Sequence, residues 1–463
     1  MRRKLAPVAV LILLSGVSCA MIRPRPAPYP EGLVFPLVVA EQMDMEGTPS
    51  SLAAGDDGTI LAALRDGRIL AVRSEKDGVL WAYEAGHPLS DTLAVSSGRI
   101  FAVDENGVVH VLDEDGALIW KTSIEGQVST DAVLFKDKIC LGTEEGRIFA
   151  LETAGEGRVA WIYEAGNPVV SGPEVFEDGL FFMTEDGRIH ALNPSGRLLW
   201  STDAGGRSSG PLLIRETMAY YGTEDRHIRG FDLERRRLRW SMRVGGHVAA
   251  RPKIRGNTLY VLTTEGVLYG MMAHRGDILW WRALPSRSVL GLALAGDNVY
   301  VSCRSPLLTA FNARTGEKAG EFALADELVS EALWLDPRIV VPIQGPDEAG
   351  RLVFLERDIR LSLTANKTSP QEPGQEITFT ASAVGFHRPQ YTFFLTSGNE
   401  ARRIVQAESE RNTLAWFPDR EGAYAIEVSV RDERMSLEAK ADFEVKRAAE
   451  KPKEPKEKKE KRP

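Results

Sequence analysis

"DGRILAVRSEKDGVLWAYEAG", residues 66–86, reads as one strand, a turn and a second strand that closes on Trp81. Nearly the same phrase returns as "NGVVHVLDEDGALIWKTSIEG" from Asn106, "EGRIFALETAGEGRVAWIYEAG" from Glu145 and "DGRIHALNPSGRLLWSTDAGG" from Asp186. Gly67, Gly107, Gly146, Gly187 and Gly266 mark a turn, and Trp81, Trp120, Trp161, Trp200, Trp240 and Trp280 mark a closing strand. Successive tryptophans stand 39, 41, 39, 40 and 40 residues apart. A period near 40 built from strands is the signature of a propeller, with one four-stranded blade per repeat. Helical repeats of similar length do not fit, because segments such as "GRIFALE" alternate apolar and polar with period two and are punctuated by glycine turns.

Eight units can be counted, with hairpins near residues 55–73, 95–113, 135–152, 176–193, 215–232, 256–273, 295–312 and 334–356. Two are degenerate: Arg226 and Pro306 stand where glycine is expected, and Gly320 stands where tryptophan is expected. The eighth unit has no closing strand after it, whereas "GLVFPLVVAEQ", residues 32–42, supplies one at the other end of the chain. Circular closure by that segment leaves no open sheet edge. The expectation is therefore an all-β chain with an eight-bladed propeller over residues 32–357.

After Glu356 the rhythm stops, and residues 358–446 read as strands at sandwich spacing, the size of one immunoglobulin-like domain. Trp416, Pro418, Gly422, Tyr424, Ile426, Val428, Val430 and Asp432 form a pattern that resembles the last strands of PKD-like bacterial surface modules, which implies a spacer or adhesion element. Residues 447–463 carry eight basic residues and four glutamates with no apolar residue beyond alanine, a tail that cannot fold alone.

At the start, "MRRK" followed by the apolar "LAPVAVLILLSGVS" reads as an export signal over residues 1–19, too short to span a bilayer comfortably. "GVSC" resembles the lipobox of bacterial lipoproteins, with Gly16 where that pattern has leucine, which makes Cys19 the expected lipid attachment site. Ordinary signal cleavage nearby is the alternative. Ala20 in place of aspartate implies sorting to the outer membrane, and the proline-rich residues 20–31 form an extended tether. The net charge of −8 argues against a dedicated nucleic-acid binder, and three cysteines make no disulfide framework and no zinc spacing.

The unit "DG-x-[IL]-x-AL…G-x-[VL]-W" resembles the pyrroloquinoline-quinone (PQQ) type of propeller repeat. An exported, lipidated, eight-bladed ring of this kind resembles the BamB family, propeller lipoproteins of the outer-membrane β-barrel assembly machinery. The resemblance implies a non-enzymatic, periplasm-facing scaffold, monomeric outside a complex, that needs no cofactor or metal and binds envelope proteins through interblade loops. The longer loop with leucine and arginine that the resemblance ties to partner contact has no counterpart, since "AGNPVVSGP" is short and only "AGGRSSGP" one blade later offers an arginine, Arg207.

Small-residue loops follow each closing strand, and at intervals of 40 they carry His87, Gln127, Asn167, Arg207, His247 and Arg287. Set on one face around the central funnel, these six form a candidate docking rim. The alternative is that each caps its own strand or holds funnel water. A PQQ-dependent dehydrogenase or quinone sensor is the enzymatic alternative; it calls for a quinone pocket at the ring centre, calcium and in many cases adjacent cysteines, whereas Cys140 and Cys303 fall in units three and seven. His110 and His190 occupy positions where sister repeats place Leu70, Phe149 and Tyr269, so they read as packing residues. Surface adhesion or glycan binding through the sandwich is a third possibility.

Overall fold

The computed structural model describes residues 35–447, apart from 75, 90–92, 347–348, 387, 399 and 433–434. The expected signal, Cys19, the tether over 20–31 and nearly all of the charged tail lie outside the described residues. Every regular element among the described residues is a strand.

Seven four-stranded antiparallel sheets follow one another along the chain, each in simple up-and-down order from inner to outer strand. They are blade 1 (49–84), blade 2 (94–123), blade 3 (133–164), blade 4 (169–203), blade 5 (213–243), blade 6 (253–283) and blade 7 (289–323). An eighth sheet takes its inner strands from 327–357 and its outer strand, Leu37–Met45, from the other end of the chain. That strand runs antiparallel to Gly350–Arg357, from Leu37 opposite Arg357 to Met45 opposite Gly350.

The second and third strands of each blade are near-continuous apolar runs because neighbouring blades cover both their faces; all five residues of Ile60–Leu64 are buried. Apolar clusters fill the space between consecutive sheets. One joins blades 7 and 8 through Leu37, Tyr300, Val341 and Leu355, and another joins blade 8 to blade 1 through Met43, Leu352, Phe354, Ile60 and Leu64. The last sheet thus packs on the first, and the ring is closed.

The recurrent tryptophan has a defined partner. The indole N–H groups of Trp81, Trp120, Trp161, Trp240 and Trp280 donate to the carbonyls of Glu114, Thr153, Pro194, Ala273 and Ala313 in the next blade, at 2.9–3.2 Å. Each indole lies flat against a glycine of that blade's turn between third and outer strands: Gly116, Gly157, Gly196, Gly276 and Gly316, all at positive φ. A β-carbon at any of them would overlap the ring, so the glycine serves both the left-handed turn and the close approach. In blade 5 Arg236 replaces this glycine, keeps a positive φ of 52°, and sets its guanidinium 5.7 Å from the Trp200 ring centre. The degenerate Arg226 likewise keeps the positive φ (61°) of the glycines it replaces.

Blade 7 lacks its tryptophan, and the chain repairs the gap from a distance. Phe35, just before the closing strand, packs its ring on Gly320 and stacks on Tyr300 at 6.1 Å between ring centres. Tyr220 and Tyr260, in the same place two and one blades earlier, meet Trp240 and Trp280 at 6.0 Å.

Residues 360–445 form two facing sheets. One holds Arg360–Ala365, Ile377–Val384 and Thr413–Trp416; the other holds Gln390–Ser397, Arg403–Ser409, Gly422–Arg431 and Ser436–Val445. Phe379, Phe393, Trp416, Ile426, Val428 and Phe443 fill the space between them. Trp416 meets Tyr424 edge-to-face at 4.9 Å, and the Tyr424 hydroxyl donates to the Arg420 carbonyl at 2.9 Å. Where this sandwich leaves the ring, the Asp358 N–H donates to the Pro36 carbonyl at 2.9 Å, and Arg357 reaches the Gly385 carbonyl and lies 3.9 Å from the buried Asp432 carboxylate. The closing strand, the last blade and the sandwich are knitted together at one point.

Phe35 being half-buried, Phe35→Ala is expected to cost about 2 kcal/mol, less than the 3–5 typical of fully buried aromatics, while Phe35→Trp is tolerated. Urea unfolding of the two variants checks this, with an unchanged slope expected for both.

Candidate functional site

Two kinds of connection meet on one face of the ring. The turns between second and third strands lie there, and so do the loops that leave each outer strand for the next blade; this is the upper face. The loops are bolted down twice. Ala85, Ile124, Ala165, Ala204, Val244 and Leu284 donate their N–H groups back to the turn of their own blade, at 2.7–3.0 Å. A few residues on, the carbonyls of Pro88, Gln127, Pro168, Arg207 and His247 accept from the turn of the following blade at 2.9–3.0 Å.

These bonds define the true register of the rim. Gln127, Arg207, His247 and Arg287 stand three residues after the first anchor, but His87 and Asn167 stand only two after it. The interval of 40 slips because consecutive blades run 39 and 41 residues between tryptophans, so a constant step drifts by one. The structural equivalents of Gln127 and Arg207 are Pro88 and Pro168. His87, Gln127, Asn167, Arg207 and Arg287 are exposed, whereas His247 is half-buried and its Nδ1 is enclosed without a hydrogen-bond partner. Arg207 donates to the Glu185 carbonyl at 3.0 Å, pairs with the Glu185 carboxylate and lies 3.9 Å from Glu224; Arg287 lies 3.4 Å from Glu265. The Gln127 N–H donates to Glu145 at 3.1 Å and holds that carboxyl below its ordinary range.

A second set of rim residues escaped the sequence reading. Glu105, Glu144, Glu185 and Glu224 follow the buried Asp104, Thr143, Thr184 and Thr223, keep the 39, 41, 39 spacing and are all exposed. The signal was present in "DENG", "TEEG", "TEDG" and "TEDR", but it looked like turn chemistry alone. Together with Glu145, Asp186 and Asp225 they make the upper face over blades 2 to 5 a carboxylate-rich arc. At blade 7 the turn carries Pro306 instead of glycine, and there a cleft of about 500 Å³ opens, lined by Arg304, Pro306, Asp326, Glu327, Gln344 and Gly345.

The axis of the ring is crossed by ion pairs. Arg251 of blade 6 reaches Asp131 of blade 3 at 3.0 Å and Glu174 of blade 4. Lys253, also of blade 6, reaches Glu331 of blade 8 at 3.0 Å. Burial pushes the Glu174 carboxyl above its ordinary value, and Arg251 opposes that push. Sequence reading could not find this set, because Asp131 and Arg251 are 120 residues apart and share no motif.

His110 is buried; its Nδ1 meets the Tyr83 hydroxyl at 2.8 Å and its Nε2 lies 3.4 Å from Asp104. His190 is buried against Phe182 and Tyr163. Both pack between blades. Cys140 and Cys303 are buried too, and desolvation pushes their thiols up to about 12 and about 11, well removed from the thiolate form that reacts.

The family model described as outer membrane protein assembly factor BamB matches residues 65–171, 157–251 and 232–354. The outer membrane protein assembly factor BamB of Nitrosomonas eutropha is 27% identical over 113 residues, 24% of this chain and 27% of that protein. The alignment therefore spans about a quarter of that relative's length. Among solved structures, BamB from Moraxella catarrhalis superposes with a TM-score of 0.58 at 18% identity, over 68% of this chain and 99% of that one. The computationally designed Ika8 protein gives 0.59 at 13% identity over 68% and 99%, and Saccharomyces cerevisiae Sqt1 gives 0.56 at 12% over 71% and 100%. At these identities the structural likeness is one of fold.

The axial pairs make a pH-dependent prediction. Glu174 holds its proton more tightly folded than unfolded, so its own contribution to stability is fully present below its unfolded pKa of 4.5 and is lost as pH rises through the raised folded value. Arg251→Ala removes the opposing charge, raises that value further and widens the window. The variant is expected to lose about 1–2 kcal/mol near pH 8 and less near pH 5, read by thermal unfolding at both.

Proposed function

Since the chain belongs to the outer membrane protein assembly factor BamB family, we propose that it is a non-enzymatic scaffold of the bacterial envelope whose propeller presents its upper face to a protein of the outer-membrane barrel-assembly machinery. The observation that carries this reading is the construction of that face. Each loop is pinned to two blades by backbone hydrogen bonds, so exposed side chains stand on a rigid frame that loses little freedom on binding. The carboxylate arc favours a partner that brings basic groups to it, with Arg207 and Arg287 set among the acids as fixed points of register. Catalysis by a quinone cofactor is disfavoured by the axis itself, where Arg251 and Lys253 span the space that such a cofactor would need.

The protein is taken to sit at the outer membrane, facing the periplasm, with Cys19 as its lipid anchor. The two-sheet domain is taken as an immunoglobulin-like arm, its Tyr424–Arg420 bond being the tyrosine corner of that class.

Crosslinking in intact cells, purification under denaturing conditions and mass spectrometry of the attached proteins test the proposal, with the lipid state of Cys19 read in the same run. Barrel-assembly components are expected to dominate; their consistent absence at native expression would overturn the reading. Arg207→Glu combined with Arg287→Glu is expected to lower the crosslinked yield about tenfold or more while leaving the melting temperature near that of the parent chain.

A further inference from the structure

The lower face of the disc, opposite the rim, carries the turns between first and second strands and between third and outer strands. Around blade 5 these turns are basic. Arg197, Arg215, Arg235, Arg236, Arg237 and Arg239 cluster there and all are exposed. The acids beside them are the exposed Glu216 and Glu234, and the buried Asp232, which accepts from Arg235 at 2.8 Å and lies 3.7 Å from Arg239. On the neighbouring lower turns Glu177 and Asp178 of blade 4 are exposed, with Asp178 paired to Lys136 of blade 3 at 2.6 Å, and Asp277 of blade 6 pairs with Arg275 at 2.9 Å. The patch is continuous across blades: Arg236 lies over Trp200 of blade 4, and the Arg239 Nε–H donates to the His274 carbonyl of blade 6 at 3.4 Å. On the upper side blades 4 and 5 present Glu185, Asp186, Glu224 and Asp225 together with Arg207 and Arg226, whereas the arginine cluster of blade 5 lies below.

Apolar side chains stand directly beside the arginines. Each outer strand begins at the lower margin, and in blades 4 to 6 it begins with Leu198 and Leu199, Leu238, and Ile278 and Leu279, all exposed. Leu199 is 53% exposed and Trp281, farther along the blade 6 strand, 57%. Arginines flanked by exposed leucines and an amphipathic tryptophan match a phospholipid interface, where phosphates take the guanidinium groups and the glycerol region takes the apolar tips. An acidic protein surface would use the arginines but leave the apolar fringe in water.

Chain direction supplies an independent argument. The closing strand starts with Leu37 opposite Arg357, so the chain enters the ring from the lower face. The sandwich leaves the same face at blade 8, across the ring from blade 4, and therefore does not cover the patch.

We infer that the lower margin of blades 4 to 6 is a binding surface for anionic phospholipid, tilting the disc so that this edge rests on the membrane and the upper rim faces away from it. This surface is independent of the partner proposed for the rim.

The test uses the chain from Ala20 onward, which keeps every described residue and removes the acylation site. Cosedimentation is measured with vesicles of phosphatidylglycerol mixed into phosphatidylcholine and with phosphatidylcholine alone. The parent chain is expected to bind the anionic vesicles preferentially, and more weakly as salt is raised. Arg197→Glu, Arg215→Glu and Arg237→Glu combined are expected to weaken that binding about tenfold or more. A control with equal charge change on the upper face, Arg65→Glu, Arg226→Glu and Arg304→Glu, is expected to bind as the parent does. Matching melting temperatures for both triple variants show that each is folded. Absence of binding by the parent chain, equal loss in both triple variants, or equal binding to neutral vesicles would each overturn the inference; in the first case an acidic protein becomes the partner to seek for the patch.

Discussion

An indole lying on a glycine of the next blade is the interaction on which the ring depends. It fixes the spacing of neighbouring sheets, because the ring can approach only where the β-carbon is missing, and it fixes their height, because the indole N–H must reach one particular carbonyl. Two residues from different blades are therefore constrained together. The wedge between blades can then be filled by ordinary aliphatic side chains with little demand on their identity. Where the pair fails, the replacements preserve the geometry: Arg236 keeps the turn and covers Trp200, and Phe35 supplies an aromatic ring for Gly320.

That pairing also explains what could be read from the sequence. Both members recur at fixed positions, the tryptophan as one of only nine in the chain and the glycine where the turn demands it, so the period, the all-β class and the borrowed outer strand all stand out. Phe35 does not, since its partner Gly320 lies at the far end of the chain and nothing in the sequence marks the two as neighbours. The rim was legible only to within one residue. A step of 40 is the mean of 39 and 41, and the difference moves His87 and Asn167 off the positions occupied by Gln127 and Arg207. Side chains that converge on the axis from separate blades leave no local trace at all, which is why Arg251, Asp131 and Glu174 emerge only in three dimensions.

The same architecture divides the labour between surfaces. Turns and crossovers tolerate substitution because the sheets beneath them are set by the aromatic–glycine contacts, so charge can be distributed freely over the two faces. Acids gather above blades 2 to 5 and arginines below blade 5, while the axis is stapled by its own ion pairs. The sandwich is held at a point where Arg357, Asp358, Pro36 and Asp432 meet, so its attachment and the closure of the ring share residues.

Closure by the first strand has a consequence for how the molecule is made. A chain synthesised from its N-terminus delivers Leu37–Met45 first and its partner Gly350–Arg357 some three hundred residues later. Throughout that interval the early strand offers an unpaired edge, Met43 and Met45 have only the blade 1 half of their cluster, and Phe35 lacks Tyr300. Closing so long a loop costs little more than closing a short one, since each doubling adds only about 0.6 kcal/mol. Waiting is therefore the larger hazard, and protection of a nascent edge, rather than stability of the finished ring, sets the demand on whatever escorts this chain.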